Sequence, residues 1–510
     1  MKRITAFLLS IMMLFPILGF FPLNARAEES PVAENIMSAS RIVGHTGFKS
    51  LRYLYDGEDD WGSPSDAGSS LTIENETGIG SLYIIFYKDQ KYYTVTDNGT
   101  GTVYTREAPF LHDFLDLEAV FGRVPTSVTV TFGPDKLTIN ELYAFTPGEV
   151  PTFVQKWEQP HDGNTDLLLF SAHGDDEHLF FAGILPYYAG ELGYNVQMVY
   201  LTDHHNNVGP TRLREILDGL WVAGVRNYPI WGTHPDFIQK ELTTAYLQYK
   251  RNGITREDLI GFAMEHIRRF QPKVVVTHDF NGEYGHGQHM VLADVVTAAV
   301  EISMDPAQYP ESAEKYGTWD VPKTYIHLYE ENPIVMDWDQ PLEAFDGKTA
   351  FYVSIYMAFQ EHTSQVRDFE SYYRNCNKAT EIPENSPLYY GLYRSTVGED
   401  VEKNDFFENL TTHAEDAALA EAQRLAEEEA RRQAEEDARL KAEEEARLAS
   451  EEAARQESTE AELSPDQPGK ADPKNSSIFE LLIKYWYFPA ILAFSLIIVL
   501  ILLCVRRPKK

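Results

Sequence analysis

Cysteine is nearly missing: the 510 residues contain two, Cys376 and Cys504. Cys504 lies in an apolar run near the C-terminus, so the pair cannot bridge and no intrachain disulfide is available. The fold has to be held by burial of a core. Positive charge is also scarce. Lys and Arg number 44 against 78 Asp and Glu, a net charge of −34. That excess repels phosphate and excludes nucleic acid as a partner. Part of it is local, with 17 acidic and 7 basic side chains between Glu415 and Glu462. The rest is spread along the chain and serves solubility. Apolar runs long enough to enter a membrane occur only at the two ends.

At the N-terminus, Lys2 and Arg3 precede an apolar stretch over 4–23, and Ala25-Arg26-Ala27 offers small residues for cleavage. Residues 1–27 read as a secretory signal. Near the other end, only Pro489 and Ser495 interrupt the apolar residues of 485–505. About 21 residues rising 1.5 Å each cross a hydrocarbon core of about 30 Å. Tyr485, Trp486 and Tyr487 suit the interfacial belt, and Arg506, Arg507, Lys509 and Lys510 suit a cytoplasmic tail over 506–510. The expected protein is anchored in the cell membrane by one C-terminal helix, with its ectodomain extracellular.

Four regions lie between. Residues 36–150 carry short runs rich in β-branched and aromatic residues (71–73, 81–87, 92–95, 127–132, 137–143), separated by Gly, Asn and Asp, which predicts an all-β sandwich. Over 160–410 the period changes. Strands are expected at 166–172, 196–202, 228–232, 272–278 and 323–329. Helices are expected at 177–192, 211–223 and 256–270, and less clearly at 350–365. The fold class is α/β: a Rossmann-like parallel sheet with helices on both faces, whose ligands gather at the carboxyl ends of the strands. Residues 414–462 repeat every eight residues, with Glu427–Arg431, Glu435–Arg439, Glu443–Arg447 and Glu451–Arg455 as acid-first i,i+4 pairs. The eight-residue period fixes no apolar seam, so a lone helical stalk is preferred to an oligomeric coiled coil. Residues 463–477 read as a flexible linker.

The chemistry sits at strand ends. The first α/β strand runs into Ala172-His173-Gly174-Asp175-Asp176-Glu177, and the fourth into Thr277-His278-Asp279, followed by Gly285-His286-Gly287-Gln288-His289. One His and one Asp from the first loop plus one His from the second make a three-ligand site, the number zinc hydrolases keep while leaving a position for water. Singly, the acids could offset a helix dipole and the histidines could be core residues. Glu177 is assigned mostly to the helix start. His204 and His205 read as loop residues.

The motif at 172–177 resembles the Ala-His-Pro-Asp-Asp-Glu signature of the LmbE/PIG-L family, and 285–289 resembles its second metal motif. The likeness covers about 163–300, with weaker echoes to 408. It implies His173, Asp176 and His289 as zinc (Zn2+) ligands, Asp175 as general base, and His286 as stabiliser of the oxyanion and donor to the leaving amine. Arg212 and Glu215 match an Arg-x-x-Glu pattern, with Arg212 a candidate substrate contact. Asp236 is a candidate for a sugar hydroxyl, and His362-Thr363-Ser364-Gln365 echoes a motif near the site. Gly174 departs from the family's proline. Residues 36–150 resemble a discoidin-like, galactose-binding-like domain through Tyr55-Asp56-Gly57, Trp61-Gly62-Ser63 and 139–145. Asp56, Asp60 and Trp61 are then candidate carbohydrate contacts, with a spacer role as the alternative. The expected activity is zinc-dependent de-N-acetylation of amino sugars in a surface glycan. The alternatives are an inactive glycan-binding protein and a hydrolase of a small acylated amine.

Overall fold

The parallel sheet of the α/β region is built from strands whose residues are buried on both faces. In the computed structural model, which describes residues 31–38, 41–59, 61–204 and 210–461, Leu167 and Leu169 of one strand enter one hydrophobic cluster while Leu168 and Phe170 enter another. This explains why these segments read as unbroken apolar runs. The expected signal (1–27), linker (463–477), membrane helix (485–505) and tail (506–510) lie outside the described residues. Among the described residues no helix is long and apolar enough to cross a membrane.

The N-terminal region holds β1 (Ile42–Phe48), β2 (Ser63–Glu74), β3 (Ser81–Phe86), β4 (Tyr92–Asp97), β5 (Thr102–Glu107), β6 (His112–Asp116), β7 (Ser127–Phe132) and β8 (Leu137–Phe145). The two separate sheets of a sandwich are not what forms. All eight strands hydrogen-bond in one curled antiparallel sheet, order β5-β4-β7-β2-β8-β3-β6, with β1 on β2. The cause is the length of β2. Its end, Ser70–Glu74, pairs with β7, and its start, Ser63–Ser65, pairs with β8. The sheet therefore turns through one strand instead of breaking into two. Strands β1, β5 and β6 escaped the sequence pattern; β5, for example, is largely exposed.

The α/β region follows, with β9 (Leu167–Ser171), β10 (Val196–Tyr200), β11 (Val274–Thr277), β12 (Lys323–His327), β13 (Pro333–Val335) and β14 (Tyr389–Ser395), in the order β10-β9-β11-β12-β14-β13. Strands β9 to β12 are parallel; β14 runs antiparallel to β12 and to β13. Residues 228–232 do not form the expected strand. They follow the edge of β10 through isolated bridges such as Val199 to Ile230, and Pro229 has no N–H to extend a ladder. Helices α1 (Asp176–Leu179), α2 (Pro210–Val222), α3 (Leu242–Arg251), α4 (Arg256–Phe270) and α5 (Gly287–Ile302) connect the strands. The helix expected at 177–192 is broken into α1 and a π-helical turn, Leu185–Glu191. Gly183 between them takes φ +98°, and the ring of Trp338 occupies the place of a Cβ. Residues 350–361 likewise pass through α, π and 3-10 turns.

The two regions share one core. A single cluster of buried residues extends from Met37 through the curled sheet to Phe407. At the junction Phe110 stacks on Tyr228 at 4.5 Å, and Trp157 meets Trp221 and Tyr228 edge-on. After the sheet, α6 (His413–Ala461) is one 49-residue helix. Thr412 and Glu415 cap its start reciprocally, as in a capping box, and the His413 amide donates to Asp166. From Glu421 onward the chain forms a second unit. Three of its i,i+4 ion pairs run arginine first, Arg431–Glu435, Arg439–Glu443 and Arg447–Glu451, the reverse of the expected pairs, while Glu421–Arg424 pairs acid first three residues apart. The eight-residue repeat gives these arginines a glutamate four residues away on both sides, and the C-terminal one is engaged. Leu425, Leu440 and Leu448 are half exposed.

His266 of α4 lies between Phe262 at 4.7 Å and Phe270 at 6.0 Å, with Nδ1 unpaired. Burial, and next the Arg269 charge, push its imidazole down to about 3. The folded chain keeps this ring neutral, while the unfolded chain protonates it near 6.5. Its stabilising contribution is complete above about pH 6.5 and is lost as pH falls toward 3, at ~1.4 kcal/mol per pH unit. His266→Phe keeps the volume and should lower the acid slope of stability by about one proton, with little change at pH 7.5. Denaturant unfolding across a pH series checks this, and an unaltered slope would refute it.

Candidate metal-centred active site

Strands β9 and β11 are parallel neighbours in register, Leu167 opposite Val274 and Leu169 opposite Val276. Both end at the same sheet edge, so the loops 172–177 and 278–289 leave side by side. There His173 Nδ1, Asp176 Oδ2 and His289 Nε2 converge. The separations are 3.2 Å (His173–Asp176), 3.2 Å (His173–His289) and 3.3 Å (Asp176–His289). Ligands about 2.0–2.1 Å from a tetrahedral cation lie roughly 3.3–3.4 Å apart. The three atoms therefore already have the spacing of one face of a metal's coordination shell.

Hydrogen bonds fix which nitrogen faces inward. His289 donates from Nδ1 to Glu283 Oε2 at 2.7 Å, leaving its Nε2 lone pair toward Asp176. His173 uses Nε2 on Gln288 Oε1 at 3.2 Å and on Asp236 at 3.4 Å, leaving Nδ1 inward. Such outer partners orient metal-binding imidazoles. His278 Nε2 lies 3.4 Å from Asp176, but that lone pair accepts the Ala172 amide at 3.0 Å. His278 is thus a strut, not a ligand.

Glu283 organises this layer. It accepts from His278 Nδ1 at 2.8 Å, His289 Nδ1 at 2.7 Å, His327 Nδ1 at 2.6 Å and the Asp279 amide at 3.2 Å. Burial opposes its charge, but the histidines outweigh this, His278 first, and hold the carboxyl well below the usual range. Burial likewise opposes a charge on His289, yet Asp176 and Glu283 push it up to about 9. A field that favours a proton on a buried imidazole also favours a cation beside it.

Asp175 lies next to the ligand set, with a carboxylate oxygen within 4.8 Å of ligand atoms of His173 and Asp176. Its Oδ2 pairs with Arg212 Nη2 at 3.0 Å. Burial raises its carboxyl above the ordinary value, and Arg212 offsets part of that. Arg212 is itself buried and leans toward Glu215 at 3.8 Å. Glu215 is held by Thr363 Oγ1 at 2.6 Å, Ser364 Oγ at 2.6 Å and the Ser364 amide at 2.8 Å. Arg212, expected at the substrate, thus orients Asp175. His286 packs 4.8 Å from the His173 ring and 4.7 Å from the His289 ring. Burial first, then His173 and His289, push it down to about 3. Its Nδ1 accepts the Gln288 amide at 3.3 Å, so the neutral ring carries its proton on Nε2. Asp236, the candidate sugar contact, keeps a side chain 39% exposed beside His173. In the bend before β2, Trp61 is 71% exposed; Asp56 is exposed too, and Asp60 lies outside the described residues.

Two assignments gain content. Glu177 does stand in the first turn of α1, but it is fully buried, and the four-residue helix has no side-chain cap. His204 is buried rather than a surface loop residue, and its Nε2 accepts the Gly174 amide at 3.0 Å; His205 lies outside the described residues. That bond explains the missing proline. Proline has no N–H to give His204, and a Cβ at 174 would sit 2.1 Å from Ile216 Cδ1. Glu283, His278, His327 and Gln288 were missed as supports. The one available signal was their crowding around the metal-motif loop.

Glu283→Gln should weaken metal binding about 10–100-fold, read by competition with a coloured chelator; unchanged affinity would count against its orienting role. Gly174→Pro should lower stability by roughly 2 kcal/mol. Part of that loss should return in an Ile216→Ala background, and a double-mutant cycle with no coupling would exclude the steric account.

Residues 168–300 match the PIG-L family, described as GlcNAc-PI de-N-acetylase. A 1D-myo-inositol 2-acetamido-2-deoxy-alpha-D-glucopyranoside deacetylase of Catenulispora acidiphila is 28% identical over 209 residues, 37% of this chain and 63% of that protein. Its namesake from Rhodococcus jostii is 32% identical over 189 residues, 33% and 63% respectively. The chain spans about three fifths of the length of these relatives. The N,N'-diacetylchitobiose deacetylase of Pyrococcus horikoshii is similar over 45% of this chain and 82% of that one, at 16% identity and TM-score 0.29. His173, Asp176 and His289 all lie within residues 168–300, the segment that matches the PIG-L family.

Proposed function

We propose that this chain is a zinc-dependent de-N-acetylase that hydrolyses the acetamide of N-acetylated amino sugars in a cell-surface glycan and releases acetate. The observation that carries the reading is the triangle of His173 Nδ1, Asp176 Oδ2 and His289 Nε2, 3.2–3.3 Å on a side. Two imidazoles and a carboxylate in a tetrahedral spacing are the donor set of a zinc hydrolase. A zinc ion held there would supply Lewis acidity and an acidified water. The relatives named as deacetylases of an acetamido sugar support the amide chemistry.

The chain's own residues then divide the proton work. Asp175 keeps Oδ2 on Arg212, which leaves Oδ1 to accept the proton of the attacking water. Neutral His286 points Nε2–H outward, since its Nδ1 is occupied by the Gln288 amide. That N–H donates to the oxygen on which negative charge grows as the carbonyl becomes tetrahedral. The leaving nitrogen collects the proton that Asp175 Oδ1 took from the water, and departs as the amine. Asp236 is placed to receive a sugar hydroxyl at the rim. An exposed Trp61 in the bend before β2 suits stacking on a glycan. The signal at 1–27, the helical stalk and the apolar segment at 485–505 support a tethered, extracellular placement.

The test is acetate release by the full chain from N-acetylglucosamine oligomers, with small acylated amines alongside. Chelation should abolish the release and zinc should restore it. Asp175→Asn should lower kcat by about 10²–10⁴ while metal content stays at the wild-type level. Release from the small amines alone would move the substrate away from glycans. No release from a metal-loaded chain would leave a binding protein.

A further inference from the structure

Behind the first centre lies a second cluster that shares no residue with it. Glu177 and His178 of α1 meet His362, which follows the 3-10 turn Phe359–Glu361. All three are completely buried. Their polar atoms, Glu177 Oε1 and Oε2, His178 Nδ1 and Nε2, and His362 Nδ1 and Nε2, make no well-formed hydrogen bond; the Tyr200 hydroxyl stands near Glu177 and the Gly174 backbone near His362. Buried polar groups are almost always satisfied, so a group of this kind requires an explanation. They do not satisfy one another. Glu177 Oε1 is 3.8 Å from His178 Nε2 and 3.9 Å from His362 Nε2, beyond hydrogen-bond reach. The two rings stand 5.3 Å apart at 74°. One donor atom from each residue lies within 4.8 Å of the others.

We propose that Glu177, His178 and His362 form a second, enclosed cation site that takes a zinc-type divalent transition-metal ion. Two imidazoles and one carboxylate are a zinc donor set. A three-ligand shell of about 2.0–2.2 Å with open angles sets its donors roughly 3.5–3.8 Å apart, close to the 3.8 and 3.9 Å from Glu177 Oε1 to the two nitrogens. Space in front of both nitrogens is kept by Gly219 of α2. A Cβ there would lie 2.8 Å from His178 Nε2 and 2.8 Å from His362 Nε2. The hydroxyl of Tyr200, also buried, faces Glu177 and is a further oxygen there. With no solvent path, this ion is structural. It ties the start of α1, next to Asp176, to the turn whose Thr363 and Ser364 hold Glu215.

The full chain, loaded with zinc and dialysed against metal-free buffer, should retain about two ions by mass spectrometry. His289→Ala should retain about one, at the second site, and His362→Phe about one, at the first. Crystals of the wild-type chain should show two anomalous zinc peaks, one of them between Glu177, His178 and His362. That map decides the matter without any variant, should His362→Phe fail to fold. A single ion lost with His289→Ala, and water alone between Glu177 and the two rings, would overturn the proposal. An empty first site with an occupied second would instead overturn the proposed function and leave this site standing.

Discussion

Glu283 is the group on which the rest of the centre depends. A fully buried carboxylate is costly unless its charge is shared, and here three imidazoles and a backbone amide share it. By accepting from Nδ1 of His289 it turns that ring's other nitrogen toward Asp176. By accepting from His278 it fixes a ring whose Nε2 in turn receives the Ala172 amide. The end of β9 and the loop after β11 are thereby locked to each other from behind. His327, from β12, adds a third strand to the same carboxylate. The geometry of His173, Asp176 and His289 is a consequence of this arrangement more than of their own loops.

A similar relay supports Asp175. Its carboxylate rests on Arg212, Arg212 leans on Glu215, and Glu215 is held by the turn at Thr363 and Ser364. The rim thus draws on residues nearly two hundred positions apart. A change far from the reacting atoms can therefore alter how Asp175 is aimed without touching substrate.

Much of the α/β architecture was legible in the sequence because both faces of its strands are buried. Continuous apolar runs mark β9, β10 and β11, and helices α2 and α4 fall where their periodicity puts them. The motif residues His173, Asp176, His289, Asp175 and His286 are brought together as their strand-end positions imply. What could not be read depends on packing at a distance. The helix after Glu177 is interrupted because Trp338, from far along the chain, fills the space beside Gly183. The sandwich becomes one sheet because β2 is long enough to pair with β7 and β8 at opposite ends. Glu283 and His204 carried no motif of their own; their roles exist only once His278, His327 and Gly174 are folded against them.

The shared core between the curled sheet and the α/β region bears on how such a chain can be reassembled. Phe110 on Tyr228, and Trp157 against Trp221, are interior packing and not the wet, polar contact of loosely joined modules. Cutting near residue 150 would expose aromatic surface on both halves. The sheet is therefore a poor cassette for transplantation. A gene fusion that exchanged it for another module would have to supply a matching apolar face for the α/β half to fold at all.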